Sequence, residues 1–190
     1  MVVAMSDATP EPITADDKDW TWVLERPCPE CGFEARDHRK EQLGAEIRAN
    51  AAQWRTLLAD ADVATRPEPT IWSALEYGCH VRDVFELFYE RLNLMLGEDD
   101  PTFANWDQDA TAVEQNYGTQ DPAKVAYGLA VGGGRLADAF DRVTPTQWQR
   151  TGRRSDGASF TIESFGRYLL HDPVHHVWDV ERGNEALAER

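Results

Sequence analysis

The stretch Arg167-Tyr168-Leu169-Leu170-His171-Asp172-Pro173-Val174-His175-His176-Val177-Trp178-Asp179 holds three of the chain's five histidines within six residues. On a helix turning about 100° per residue, His171 and His175 stand roughly 40° apart, one turn above the other, so both imidazoles could reach one ion. His176 falls on a different side of the wheel. It lies near Ile162, Phe165, Leu169 and Val180, which share an arc of about 60° and form the predicted buried stripe, so His176 is read as a core histidine or one that supports a ligand. Pro173 removes the backbone hydrogen bond to the carbonyl of Leu169, so a kink is expected beside the pair.

Two histidines four apart also arise by accident, and a metal site needs a third ligand. The remaining histidines are His38 and His80. His80 belongs to a strongly amphipathic segment with Glu76 and Asp83 one turn to either side. Its plain alternative is a half-buried helix histidine hydrogen-bonded to one of those carboxylates.

Length and charge narrow the rest. A chain of 190 residues suits one domain with a real core. Acidic residues outnumber basic ones 34 to 19, for a formal charge of −15, which repels phosphate backbones and anionic membranes. No nucleic-acid or membrane partner is expected. The chain has no apolar run of the roughly 20 residues a span requires and no basic start followed by an apolar block, so a cytoplasmic location is expected. Three cysteines do not suggest a disulfide framework. Arginine exceeds lysine 16 to 3, a hint of a GC-rich genome.

Residues 1 to about 18 are polar and interrupted by Pro10 and Pro12, and are expected to be mobile. Trp20, Trp22, Val23 and Leu24 suggest a short extended segment docked on the body. Cys28-Pro29-Glu30-Cys31-Gly32 has the shape of one zinc knuckle. Three readings stand open for it: a plain turn with buried thiols, a redox-active pair, or half of a second metal site, to which Cys79 and His38 are conceivable additions.

Leu43, Ile47, Trp54, Leu57 and Leu58 recur at helical spacing and predict a first helix from Asp37 to about Asp60. Pro67 and Pro69 break the chain. A second helix is predicted from about Ile71 to Leu96, with Gly97 closing it. Residues 97–120 read as a long acidic loop anchored by Phe103, Trp106 and Tyr117, and a loop this long is more often functional than idle. Asp121-Pro122 caps a third helix that runs to about Val143. Gly132-Gly133-Gly134 is no phosphate loop, lacking both a preceding strand and the required Lys-Ser/Thr, and is read as allowing close helix packing. Thr161 is the predicted cap of a fourth helix, which carries the histidines.

Four long helices, a histidine preceded by Trp72-Ser73-Ala74-Leu75-Glu76-Tyr77, and a His-x-x-x-His pair in the last helix together resemble the DinB-like superfamily. The likeness covers roughly residues 37–183, after an irregular extension over 1–36 and before a tail over 184–190. The resemblance implies an all-α, DinB-like four-helix bundle and a divalent metal, often zinc or nickel, held by three histidines at one end. Carried over, the ligands are His80, His171 and His175, with Glu76, Tyr168 and Asp172 expected to support them. The family includes thiol-dependent S-transferases and maleylpyruvate isomerases.

The first functional expectation is therefore a metal-dependent thiol S-transferase. The metal would lower the pKa of a thiol cosubstrate, mycothiol in a GC-rich actinobacterium, for attack on an electrophilic small molecule. A hydrolase that activates water needs the same open metal. A non-catalytic, stress-associated binding module would instead fill the coordination sphere with a fourth ligand such as Asp107 or Glu76. The expected partner is a small-molecule substrate, and the expected assembly, if there is one, is a homodimer. In the acidic loop, Trp106 is expected to wall the pocket and Asp107 to orient a water or an imidazole as the loop folds back toward His80.

Overall fold

The computed structural model describes residue 13 and residues 19–190, so the expectation of mobility for residues 1–18 lies, apart from residue 13, outside the described residues. Four long helices carry the fold: α1 (Leu43–Leu57), α2 (Ala74–Gly97), α4 (Pro122–Asp141) and α5 (Ile162–Ala188), with a short α3 (Gln108–Glu114) in the connection between α2 and α4. α4 packs against both α1 and α2, and α5 closes the bundle against α1 and α2. Trp54, Phe85, Leu92, Leu129, Leu136, Phe140 and Phe165 fill the centre, each at most 2% exposed. No helix of the described residues is long and apolar enough to cross a membrane.

The helix starts follow local chemistry. Ser73 and Glu76 form a reciprocal capping box, which starts α2 at Ala74 rather than at Ile71. Asp121 caps α4 with Pro122 in its first turn, and Thr161 caps α5. The segment ahead of α1 winds as two 3₁₀ turns, Ala35–Asp37 and Lys40–Gln42, so the α-helix begins only at Leu43. Trp20–Leu24, expected to be extended, is also a 3₁₀ turn, opened by the Asp19 side chain accepting from the Thr21 N–H. The predicted tail over 184–190 is mostly helix, because α5 continues to Ala188.

The fold is not purely helical. A three-stranded sheet pairs β1 (Thr102–Phe103) parallel to β2 (Thr151–Arg154), and β2 antiparallel to β3 (Ser159–Thr161), with Gly152 opposite Phe160. The β2–β3 hairpin turns at Gly157, whose φ of +102° a side chain would strain. Periodicity missed these strands because they are two to four residues long. They matter to function, since they pin the α2–α4 connection beside the hairpin and place Arg154 at the end of β2.

α5 runs through Pro173 without interruption. The Asn50 side chain of α1 donates to the Pro173 carbonyl at 2.8 Å and accepts from the Trp54 indole at 3.2 Å. This buried amide ties α1 to α5 one residue from the histidine cluster.

Candidate metal centre

α5 presents two i, i+4 pairs offset by one residue: His171 with His175, and Asp172 with His176. Successive helix positions turn by about 100°, so the pairs face different neighbours. The expected trio of His80, His171 and His175 is divided between them.

On one side, His80 of α2 meets Asp172 and His176, with ligand atoms from all three within 4.8 Å of one another. His80 Nε2 lies 3.3 Å from Asp172 Oδ1, and His176 Nε2 lies 3.7 Å from the same oxygen. Donors sharing one ion at about 2.0–2.2 Å stand roughly 3.0–3.5 Å apart, so the first distance fits directly and the second needs only a small adjustment. Both ring nitrogens of His80 and Asp172 Oδ1 are buried without a hydrogen-bond partner. Such orphaned groups are costly unless something satisfies them. A divalent cation fits this donor set.

The other nitrogen of His176 is occupied: Nδ1 lies 2.8 Å from Asp179 Oδ2, which fixes the ring with Nε2 toward His80. His176 is thus not one of the core histidines. Asp172, expected to support a ligand, is itself in the ligand group. Burial raises its carboxyl pKa, but the facing imidazoles of His80 and His176 outweigh that and hold it well below the usual carboxylate range.

On the other side, His171 and His175 meet Cys28 and Cys31, again with ligand atoms within 4.8 Å. Their imidazoles are 5.1 Å apart between ring centres, as expected for neighbours one turn apart. Burial, helped by neighbouring His175, lowers His171 to about 4, and burial likewise lowers His175, with His176 adding to the effect. Burial also pushes the Cys31 thiol up to about 12, with Cys28 reinforcing the shift.

The other candidates lie elsewhere. Cys79 is buried, its thiol 3.8 Å from the Tyr117 carbonyl, and His38 stacks on Phe33 and meets Glu46 at 3.0 Å. Glu76, expected to support the metal, is committed to the capping box and to Arg66, whose Nε reaches both its oxygens at 3.2 and 2.9 Å. Asp107 is exposed and caps α3 by accepting from the Ala110 N–H at 2.8 Å. Trp106 does return over the site and stacks on His80 at 5.4 Å, and the carboxylate that this loop turns to the cavity is Asp109.

The cavity has a volume of about 510 Å³, and Asp172 and His176 form part of its wall. Tyr168 also lines it and accepts from Arg154 Nη1 at 3.0 Å. Burial keeps the Tyr168 pKa raised against the pull of Arg154, so its hydroxyl stays protonated. Arg91 lines the cavity too, 6% exposed, donating to the Ala104 carbonyl at 2.7 Å and forming no ion pair with a described carboxylate. Burial and the nearby Arg154 lower its pKa to about 10, which leaves it charged at neutral pH.

A helical bundle with a cation-ready cluster between α2 and α5 is the class of protein these features define. The sequence profile of the DinB superfamily matches residues 48–180, and the chain belongs to that superfamily. Among solved structures, YfiT from Bacillus subtilis, described as a probable metal-dependent hydrolase with an unusual four-helix bundle topology, aligns at a TM-score of 0.68 and 22% identity, covering 86% of this chain and 91% of that one. No curated protein matches the chain significantly.

Proposed function

We propose that this chain is a metal-dependent hydrolase of a small anionic substrate, with the metal held by His80, Asp172 and His176. The observation that carries the reading is the convergence of these three donors, with His80 and Asp172 Oδ1 otherwise unsatisfied and with Asp172 and His176 in the wall of a cavity. A bound divalent ion would supply Lewis acidity, lowering the pKa of a water and polarising a substrate carbonyl. Two imidazoles and one carboxylate are a ligand set of zinc hydrolases that leaves a coordination position open. The description of YfiT points the same way.

The chain's own residues supply the rest. Arg91 is a buried cation without a carboxylate partner among the described residues, in a protein of net charge −15, a costly arrangement that an anionic group on the substrate would offset. Tyr168, held by Arg154, offers its hydroxyl proton to a substrate oxygen. Trp106 covers His80 and keeps bulk water from that side of the cluster. Asp109, the acidic-loop carboxylate that lines the cavity, is the residue we assign to accept a proton from an attacking water.

Thiol S-transfer is the second reading, with a cosubstrate such as mycothiol in place of water. A cavity of about 510 Å³ favours it to the extent that it has room for two small molecules. The discriminating experiment measures metal content, then screens carboxylate-bearing aryl esters, amides and lactones with zinc, nickel, manganese or iron, with and without thiol, monochlorobimane serving as the electrophile. Hydrolysis without thiol that is lost in His176→Ala and shows a raised KM in Arg91→Gln is the expected result. Turnover only with thiol selects S-transfer. Metal retention without turnover in either screen selects a binding module.

A further inference from the structure

Cys28 and Cys31 belong to the extension that precedes the bundle, and they meet His171 and His175 more than a hundred positions later in the chain. Four soft or borderline donors, two thiols and two imidazoles, lie within 4.8 Å of one another. Zinc–sulfur bonds of about 2.3 Å and zinc–nitrogen bonds of about 2.0–2.1 Å give a tetrahedron whose sulfur–nitrogen edge is about 3.6 Å. Cys28 Sγ stands 3.6 Å from His175 Nδ1.

Three further observations point to a ligand. His171 is only 4% exposed, and its Nε2 is buried with no hydrogen-bond partner. His175, using Nδ1 toward Cys28, turns Nε2 to Glu30 at 3.5 Å and Asp179 at 3.8 Å, the carboxylate setting that orients metal-binding histidines. The Cys-x-x-Cys turn is already shaped: the Cys28 N–H donates to the Phe33 carbonyl at 2.8 Å, the Gly32 N–H donates to the Cys28 carbonyl at 3.0 Å, and Gly32 takes a φ of +75°. Both cysteines are free thiols.

We propose that Cys28, Cys31, His171 and His175 form a second, structural zinc site that fastens the extension to α5. Four protein ligands close the coordination sphere, which distinguishes this site from the three-ligand cluster at His80. Zinc forms two bonds to thiolate sulfur and two to imidazole nitrogen, and the thiol protons pass to solvent. The site also shapes the cavity. Trp20, on the same extension, packs on His171 at 5.2 Å and His175 at 5.3 Å between ring centres and lines the cavity wall. Loss of the zinc would release that wall. The proposal does not rest on the hydrolase reading, because the two sites share no ligand.

Cobalt(II) substitution of the full chain tests it without relying on activity. Thiolate ligation gives a sulfur-to-cobalt charge-transfer band in the near ultraviolet and an intense tetrahedral d–d spectrum. The charge-transfer band is expected in the wild-type protein and in His176→Ala and should be lost in the double variant Cys28→Ser/Cys31→Ser, whereas d–d absorption of cobalt at the thiol-free His80 cluster persists in that variant. Zinc analysis of protein purified without added metal should show one equivalent that survives His80→Ala and disappears in Cys31→Ser or His171→Ala. A folded, cobalt-loaded wild-type protein without the charge-transfer band would overturn the proposal. So would isolation of the native chain with Cys28 and Cys31 joined as a disulfide.

Discussion

His175 and His176 are adjacent in sequence, yet their rings stand 81° apart in plane, one turned to Cys28 and the other to His80 at 4.8 Å between ring centres. Asp179, one turn further along α5, reaches both: Oδ2 lies 2.8 Å from His176 Nδ1 and Oδ1 lies 3.8 Å from His175 Nε2. A single carboxylate thereby hydrogen-bonds the ring of one donor group and places its charge beside a ring of the other. The His176 ring is therefore held without an ion.

Asp179→Asn should therefore weaken metal binding without unfolding the chain. The amide keeps the size of the side chain but no longer anchors the His176 N–H with a full charge. Affinity at the His80 cluster is expected to fall by about 10- to 100-fold, as for other carboxylates behind a metal-bound imidazole. Competition with a chelator, run beside far-ultraviolet circular dichroism, measures both effects. Unchanged affinity would mean that packing alone positions His176.

The buried amide of Asn50 makes a separate prediction about stability. Asn50, 3% exposed, is the acceptor of the buried Trp54 indole N–H and a second donor to the Pro173 carbonyl, so Asn50→Ala leaves the indole N–H without its partner and removes the α1–α5 bond, while the carbonyl keeps its helical one. The unsatisfied indole N–H costs roughly 1–3 kcal/mol and the lost bond to the carbonyl about 1 more, so a loss of about 2–4 kcal/mol is expected in denaturant unfolding. Asn50→Asp should not rescue it, because the carboxylate cannot donate to the proline carbonyl.

The reading of Gly132-Gly133-Gly134 as a packing device can be tested at single-residue resolution. A Cβ on Gly133 would lie 2.7 Å from Ala51 Cβ and 3.1 Å from a Phe85 ring carbon, so α4 could not keep its approach to α1 and α2. Gly133→Ala should cost about 1–3 kcal/mol by overpacking. Gly134 has nothing within 4 Å of that position, and Gly134→Ala should stabilise the helix by up to about 1 kcal/mol. Equal effects from the two variants would contradict the packing account.

Much of this architecture was legible in the sequence, and the failures have identifiable causes. The long helices announce themselves through apolar spacing and through Asp121 and Thr161 as caps, whereas the Ser73 cap that starts α2 at Ala74 was not read. The strands at Thr102, Thr151 and Ser159 are too short to have a period, and pairing between β1 and β2 spans some fifty positions that no local pattern records. At the site, the wheel correctly stacked His171 over His175. It did not show which pair faces α2, because that depends on how α5 is rotated in the bundle, and one residue of offset exchanges His171 and His175 for Asp172 and His176. Asp172 was visible as a carboxylate four before His176, and that spacing was the available signal for it. The meeting of Cys28 with His175 depends on how the extension folds back and leaves no trace in spacing.

The acidic loop separates two carboxylates two residues apart. Asp107 caps α3 through the Ala110 N–H and is exposed, whereas Asp109 lines the cavity. The loop reaches the site because β1 anchors it beside β2, and the Asn105 N–H donates to Ser155 Oγ at 2.9 Å. Trp106 is then held over His80, with its indole N–H donating to Thr111 at 2.8 Å. If Asp109 accepts the proton of the attacking water, Asp109→Asn should lower kcat by about 100-fold or more, leave metal content unchanged and remove the acidic limb of the pH–rate profile. Asp107→Asn should leave kinetics unaltered, since asparagine caps a helix about as well as aspartate. A kinetic defect confined to Asp107→Asn would exchange these roles. Equal, mild effects in both would leave the loop only Trp106 as its contribution to the site.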